Sequence, residues 1–556
     1  MFSSLGRLVR QIVSFLFSLF LSQRANWSAD LSIHQKQLVT AIRAVLQQAL
    51  GEGHTRLSME AFYERVERTP ELRNTQSGDV SDALRTMVRQ SEIVLSDHWL
   101  AFTRCVVAEQ EIASGLAAIG RYLRRIRAAT LQRPLADAGT SLSSISGEQR
   151  AAVLRLAQAR VGILTGAPGT GKSATMKALV TLLERAGYAI HLTAPTGRAA
   201  VRLTEATGRP ARTLHRFLRG HTVRQSNWWN WVFPAPPEAI IVDEASMLDT
   251  FLMARLVRVC TPFTKLILVG DVEQLPSVGP GQVLRDLIAS GCVLVVELTT
   301  NFRQREGSEI SAAAEAIKAG VVPDLPAPGE RTTDCYFLEA NTAAEAARLI
   351  VKAVTQSLPA RCGADPYQSI QVLTPKHRGT LGTAMLNAMI QEALHPHLVS
   401  ENFASAKSPA FALGDRVLHT KNNYQLGVFN GESGSIHSIN GNSVAVQYGE
   451  RFIKYDASTI GQLTHGFAIT IHRAQGSEYP FVVIPVHATQ QPMLNRALLY
   501  TALTRARQMV VLVGSREAFA QAIANVEASH RQTGLLAELQ SSLRRVLPPN
   551  SRSINS

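Results

Sequence analysis

A chain of 556 residues, at roughly 150 residues per domain, has room for three or four domains. With 46% apolar and 18% charged residues, nothing in its composition opposes a large folded core. Five scattered cysteines form no CxxC pair and leave one over, which excludes a disulfide framework and a cysteine zinc site and suits a reducing, cytoplasmic compartment. A net charge of +14, spread along the chain, suits a polyanionic partner, because Lys and Arg replace the counterions condensed on phosphates; an unspecialised basic protein would carry the same balance.

Residues 1–27 form an apolar and basic arm. Arg7 and Arg10 precede the run Ile12–Leu21, which is too short to span a bilayer as a helix. That run reads either as an arm packed on the protein or as a membrane contact. Residues 28–140 read as a helical domain, with helical spacing in Leu38–Leu50 and Val80–Val88. The alternation at Glu92-Ile-Val-Leu95 is compatible with a winged-helix unit.

From Ser146 the pattern changes. Short β-rich runs at Val161–Thr165, Ala189–Thr193, Ala239–Val242, Lys265–Val269 and Val293–Leu298 alternate with amphipathic helices, the rhythm of a parallel sheet covered by helices. A second series follows at Cys335–Glu339, Ser369–Thr374, Phe467–Ile471, Phe481–Pro485 and Met509–Val513. Between its second and third strands, about 395–465, lies a Gly- and Asn-rich stretch with strands at Arg416–His419, Gly434–Ile439 and Ser443–Tyr448. It predicts a small antiparallel barrel inserted in the second sheet. The expected boundaries are 141–330 for the first α/β domain, 331–525 for the second and 526–556 for a C-terminal tail.

The most specific motif is Gly166-Ala-Pro-Gly-Thr-Gly-Lys-Ser173, after a strand and before a helix. Glycines let successive N–H groups converge on a phosphate, reinforced by the helix N-terminus. Lys172 adds a point charge at the outer phosphates and the Ser173 hydroxyl can hold Mg²⁺. ATP and Mg²⁺ are therefore the expected cofactors. A hydrophobic strand then ends in Asp243-Glu244, one acid for the metal's water shell and one to orient or deprotonate the attacking water. A further strand runs into Gly270-Asp-Val-Glu-Gln274-Leu-Pro-Ser-Val-Gly-Pro-Gly281, where Gln274 is placed to reach a γ-phosphate or its water. The glycines and proline make that loop either a rigid sensor or simple turn punctuation. Arg303, after the last strand of the first half, and Arg505, on a helix of the second, can stabilise transition-state charge if both reach the same phosphate.

In this order the motifs resemble superfamily 1 helicases, and most closely the RecD-like branch, superfamily 1B. The resemblance also rests on Ala194-Pro-Thr-Gly-Arg-Ala199, Thr213-Leu-His215-Arg, Val372-Leu-Thr-Pro375 with Asn387, Gly414-Asp-Arg-Val417 with Asn422-Asn-Tyr, and Thr470-Ile-His472-Arg-Ala-Gln475-Gly-Ser-Glu478. It covers Gln149 to Val513, and Glu109-Gln-Glu-Ile-Ala113 resembles more loosely the N-terminal region of stand-alone members. The resemblance implies two RecA-like P-loop NTPase domains with the nucleotide between them and single-stranded DNA across their top. It implies 5′-to-3′ translocation, unwinding at duplex junctions, and work in repair or recombination, alone or with the subunits of a complex.

By residue, it implies that Gln149 reads adenine and that Gly166, Pro168, Gly169, Thr170, Gly171, Lys172, Ser173 and Ala174 cradle the phosphates. Gln475 and Glu478 link the nucleotide to the strand. Pro195, Thr196, Arg198, Thr213, His215, Pro375, Asn387, Asn422 and His472 contact DNA. Two departures stand out. Arg473 and Ala474 occupy positions where the family usually has Lys and Ser. The insertion about 216–237, where the family carries a strand-separating pin, contains Trp228-Trp229-Asn-Trp231, either stacking residues or a hydrophobic plug. A superfamily 1B motor acting on RNA, and a complex subunit with a vestigial ATPase, stand as alternatives.

Overall fold

The computed structural model describes residues 32–73, 75, 77–121, 144–224, 238–301, 308–396, 411–423, 425–441, 443–491, 493–526 and 530–544. Three expectations lie outside these: the Ile12–Leu21 run, the Trp228 and Trp229 pin, and Arg303. Among the described residues, no helix is long and apolar enough to cross a membrane.

The N-terminal region begins with a capping box, in which Ser32 and Gln35 each satisfy the other's backbone N–H. It starts a helix, Ile33–Gly51, that buries Leu38, Val39, Ile42, Val45, Leu46 and Ala49 on one face. A short strand, Leu57–Ser58, two helices, Met59–Arg68 and Ser77–Arg89, and a hairpin of Ile93–Leu95 with Trp99–Phe102 complete the unit around Phe62, Met87 and Leu100. The helix Thr103–Arg121 then carries the chain onto the first α/β domain. Its Gly115 lies so close to the helix Thr250–Val259 that a Cβ there would meet Val257 at 2.0 Å.

The first α/β domain is a six-stranded, all-parallel sheet ordered Ala211–Thr213, Ala189–Ala194, Glu238–Val242, Lys265–Val269, Val161–Gly166, Leu294–Leu298. Helices cover both faces, so the central strands are apolar throughout: Leu266, Ile267, Leu268 and Val269 are fully buried. The second is a five-stranded parallel sheet ordered Cys335–Glu339, Ala506–Gly514, Tyr479–Val486, Ile370–Thr374, Ala468–Thr470. Between its last two members in that order, the chain makes a five-stranded antiparallel sheet with an apolar core of its own, including Val417, Val428, Ile436, Val446 and Tyr455. Two of those strands, Arg451–Tyr455 and Leu463–His465, and the edge strand Ala211–Thr213 were not expected from the sequence. Arg416 fastens this sheet to the second domain, donating to the carbonyls of Ile370 and Gln368 and to Gln371.

The segment expected as a tail, 526–556, contains a helix, Leu535–Arg544. Leu535 and Leu539, one turn apart, are buried in the core of the first α/β domain, which corrects that expectation.

Candidate active site in the cleft between the two sheets

The strand Val161–Gly166 passes into the phosphate-loop motif, and the motif's shape requires glycine. Gly166, Gly169 and Gly171 have φ of +147°, +91° and +82°, and a Cβ on Gly166 would meet the Leu298 carbonyl at 2.6 Å. Gly171 opens the helix Lys172–Arg185, so the loop's N–H groups and the helix N-terminus converge. The Lys172 ammonium lies against the loop, 2.6 Å from the Gly166 carbonyl and 2.9 Å from that of Ala167. Burial holds its pKa below the usual lysine range, opposed by the carboxylates of Asp271, Glu244 and Asp243.

The acids follow from the neighbouring strand. Asp243 donates its N–H to the Thr193 carbonyl at 2.9 Å, and its carboxylate accepts the N–H of Glu244 at 2.9 Å. Burial, reinforced by Glu244, pushes the Asp243 carboxyl up to about 7. Glu244 has φ +52°, a left-handed conformation that costs a non-glycine residue energy and is concentrated at functional sites. Next along the sheet, Asp271 accepts from Gln274 Nε2 at 3.3 Å and from the Tyr500 hydroxyl of the second domain at 2.9 Å. The Gln274 Oε1 is buried and receives no hydrogen bond.

The second domain closes the cleft. Arg505, 2% exposed, donates to the carbonyls of Thr501 at 3.1 Å and Ser477 at 3.3 Å. Glu478 pairs with Arg202 of the first domain at 2.7 Å and with Arg507 at 3.0 Å. Gln475 donates to the Leu275 carbonyl at 3.2 Å, while the Leu275 N–H donates to Thr501 at 2.8 Å. The resulting cleft, about 590 Å³, is lined by Lys172, Ser173, Asp243, Glu244, Gln274 and Arg505, with Glu478, Arg202 and Arg507 at the domain boundary. That is the size of a small-molecule site. The exposed Ser173 and the half-buried acid pair that line it are an oxygen donor set suited to a hard divalent cation.

Several expected residues have other partners. Gln149, 5% exposed, spends its amide on the Ser146 N–H and on the Thr170 carbonyl at 3.2 Å; it braces the phosphate loop from beneath. Arg198 donates across the cleft to Ser477 at 3.4 Å and Tyr479 at 3.3 Å. Asn387 is buried, and both ends of its amide bond the backbone of Ala468 at 2.8 Å, fixing a helix to the sheet edge. Pro375 is buried too. Thr196 caps the helix Gly197–Thr207, and Thr213 accepts the Arg216 N–H. Pro195 and His472 are half-buried, and burial lowers the His472 pKa; His215 and Asn422 are exposed. Arg202, Asp271 and Tyr500 were missed. Asp271 stood in the quoted Gly270–Gln274 block without a role of its own, and Arg202 lies one helical turn beyond Arg198.

Three family models match the chain: an AAA domain over residues 144–330, an ATP-dependent RecD-like DNA helicase SH3 domain over 386–448, and a UvrD-like helicase C-terminal domain over 465–513. The RecBCD enzyme subunit RecD of Mycolicibacterium smegmatis is 33% identical over 433 residues, covering 71% of this chain and 75% of that one. The chain belongs to the RecD-like helicase family. The ATP-dependent RecD2 DNA helicase of Deinococcus radiodurans is 36% identical over 396 residues, 71% of this chain. This chain spans about half, 52%, of that relative's length. A solved Bacteroides Pif1 helicase in complex with ADP-AlF3 and ssDNA matches with a TM-score of 0.42 and 18% identity, over 72% of this chain and 97% of that one.

Proposed function

We propose that this RecD-like chain is an ATP-dependent DNA helicase that moves 5′ to 3′ on single-stranded DNA and unwinds the duplex ahead, in repair or recombination. One observation carries the reading: Lys172, Asp243, Glu244 and Gln274 from one sheet and Arg505 from the other line a single cleft. In this reading the phosphate loop and Lys172 bind the triphosphate. Ser173 and Asp243 would hold Mg²⁺, which when bound would neutralise phosphate charge. Glu244 orients or deprotonates water, Gln274 positions it, and Arg505 stabilises charge that develops only in the transition state.

Polar contacts able to break and re-form cross the cleft, among them Arg202 with Glu478, Gln475 with Leu275 and Tyr500 with Asp271, beside the buried side chain of Leu275. Opening and closing would thus be coupled to nucleotide state. Strand contact would fall on phosphates and base faces, with little sequence preference. The names of the RecBCD subunit relatives favour a second role as the motor of a larger recombination complex. The deciding experiment is ATP-driven unwinding of 5′-tailed and 3′-tailed duplexes by the full chain, with DNA and RNA strands of equal sequence. Unwinding of the 5′-tailed DNA is expected. Preference for the 3′ tail overturns the polarity, preference for RNA the substrate, and no unwinding with no ATP turnover the motor itself.

A further inference from the structure

After its last strand the chain returns from the second α/β domain to the first, and the returning segment grips the loop that carries Gln274. The Arg531 guanidinium donates through Nη1 to the carbonyls of Gly281 at 2.7 Å and Gly279 at 2.9 Å and to the Ser277 hydroxyl at 3.2 Å. Through Nη2 it donates to the Ser277 carbonyl at 2.7 Å. One side chain therefore organises the whole turn Ser277–Gly281, as a planar fork of donors can and a point charge cannot. The turn cannot yield elsewhere. A Cβ on Gly279 would meet Asp249 at 2.3 Å and one on Gly281 would meet Thr250 at 2.0 Å, while the Gly281 N–H donates to the Gly53 carbonyl of the N-terminal region at 2.9 Å. The residues after Arg531 are anchored as firmly. Thr533 donates to Asp286 at 2.8 Å, and the Gly534 N–H to the buried Glu109 carboxylate at 2.8 Å.

A small cavity of about 30 Å³ lies between this grip and the nucleotide cleft, lined by Ser246, Gln274 and Arg531 among others; Gln274 lines both spaces. Three polar atoms of those residues, Ser246 Oγ, Gln274 Oε1 and Arg531 Nε, are buried without a hydrogen bond. Such atoms are rare in folded proteins and call for a partner. One donor, one acceptor and one hydroxyl that serves as either, around a cavity above the roughly 10–15 Å³ one water needs, make a water site.

Resting on the ATPase reading above, we infer that Arg531 is a positioning residue for hydrolysis. It holds the Ser277–Gly281 turn and, with Ser246, a buried water behind Gln274, so the sensor glutamine's orientation depends on that one guanidinium rather than on how tightly the rest of the C-terminal segment is docked.

The test uses the full chain with saturating single-stranded DNA and compares Arg531→Gln, Arg531→Lys, Ser246→Ala and Thr533→Val in steady-state ATP hydrolysis and thermal melting. Arg531→Gln is expected to lower kcat by about 10- to 100-fold, the cost of a small misplacement, with KM for ATP unchanged. Arg531→Lys should recover only part of it. Ser246→Ala should lower kcat without lowering Tm, which keeps the test alive if Arg531→Gln folds poorly. Thr533→Val loosens the same segment away from the turn and should lower Tm but not kcat. A wild-type kcat in both Arg531→Gln and Ser246→Ala overturns the inference, as does a kcat that falls in Thr533→Val in step with Tm. A wild-type chain with no ATP turnover overturns the reading beneath it.

Discussion

The two parallel sheets meet at one cleft, yet they hold their functional groups by different means. In the first, conformation is set within a few residues: three glycines with positive φ shape the phosphate loop, and Glu244 sits at φ +52° directly after Asp243. In the second, Arg505 is held within its own domain, by the Thr501 carbonyl four residues earlier and by the more distant Ser477 carbonyl, whereas Glu478 is gripped by Arg202 from the opposite domain. The comparison teaches that the first half of the site is set locally, while the second half meets it only in the closed cleft.

The strongest way to break that comparison is at its locally set side. Lys172→Ala should abolish ATP turnover, a loss of at least about 10³-fold, while salt-sensitive strand binding persists; filter binding beside an ATPase assay reads both. Arg505→Ala should cost about 10³-fold in kcat with little change in ATP affinity, because a group that meets the site only on closure acts on the transition state. Equal losses in affinity and kcat would mean that it binds ground-state nucleotide instead.

Asn387→Ala tests an internal fastening that sequence took for a strand contact. Leaving the Ala468 backbone groups unpaired should cost about 1–3 kcal/mol in denaturant unfolding, with ATP turnover per folded molecule retained. The Asp243 carboxyl supplies a pH test. Its folded value of about 7 lies above the unfolded value near 3.8, so the folded chain holds the proton more tightly. The stability this contributes is full below pH 3.8 and is lost as pH rises toward 7. Asp243→Asn escapes that loss, so its Tm should exceed that of the parent at pH 8 and by much less at pH 4, about 2–4 °C for each kcal/mol relieved. Glu478→Gln should have the smallest effect, at most about 1 kcal/mol for a partly exposed pair. It should be visible as a more open average shape in small-angle scattering.

The same contrast explains what could be read in advance. Strands such as Lys265–Val269 and the phosphate loop are announced by contiguous residues, because burial on both faces and positive φ are local demands. The strand Arg451–Tyr455 escaped notice because it is an edge strand carrying Arg and Lys, and only Tyr455 is buried. Asn387 and Arg198 were read as strand contacts because they occur in motifs; nothing local reveals that their hydrogen bonds end on Ala468, Ser477 and Tyr479. The C-terminal segment had a faint signal in Leu535 and Leu539, whereas the grip of Arg531 on a turn some 250 residues earlier had none.

Glu109 sets the order in which this molecule can be finished. Fully buried, its carboxylate accepts from Thr55 at 2.6 Å, Arg56 at 3.0 Å and the Gly534 N–H at 2.8 Å, while Arg56 also reaches Glu538. The N-terminal region is synthesised before the motor, but its seam with the motor closes only when Gly534 has emerged from the ribosome. Until then a carboxylate awaits its third donor. Nascent or prematurely terminated chains should therefore display a loosely docked amino-terminal lobe, vulnerable to proteases at its junction, and quality control would act on that species.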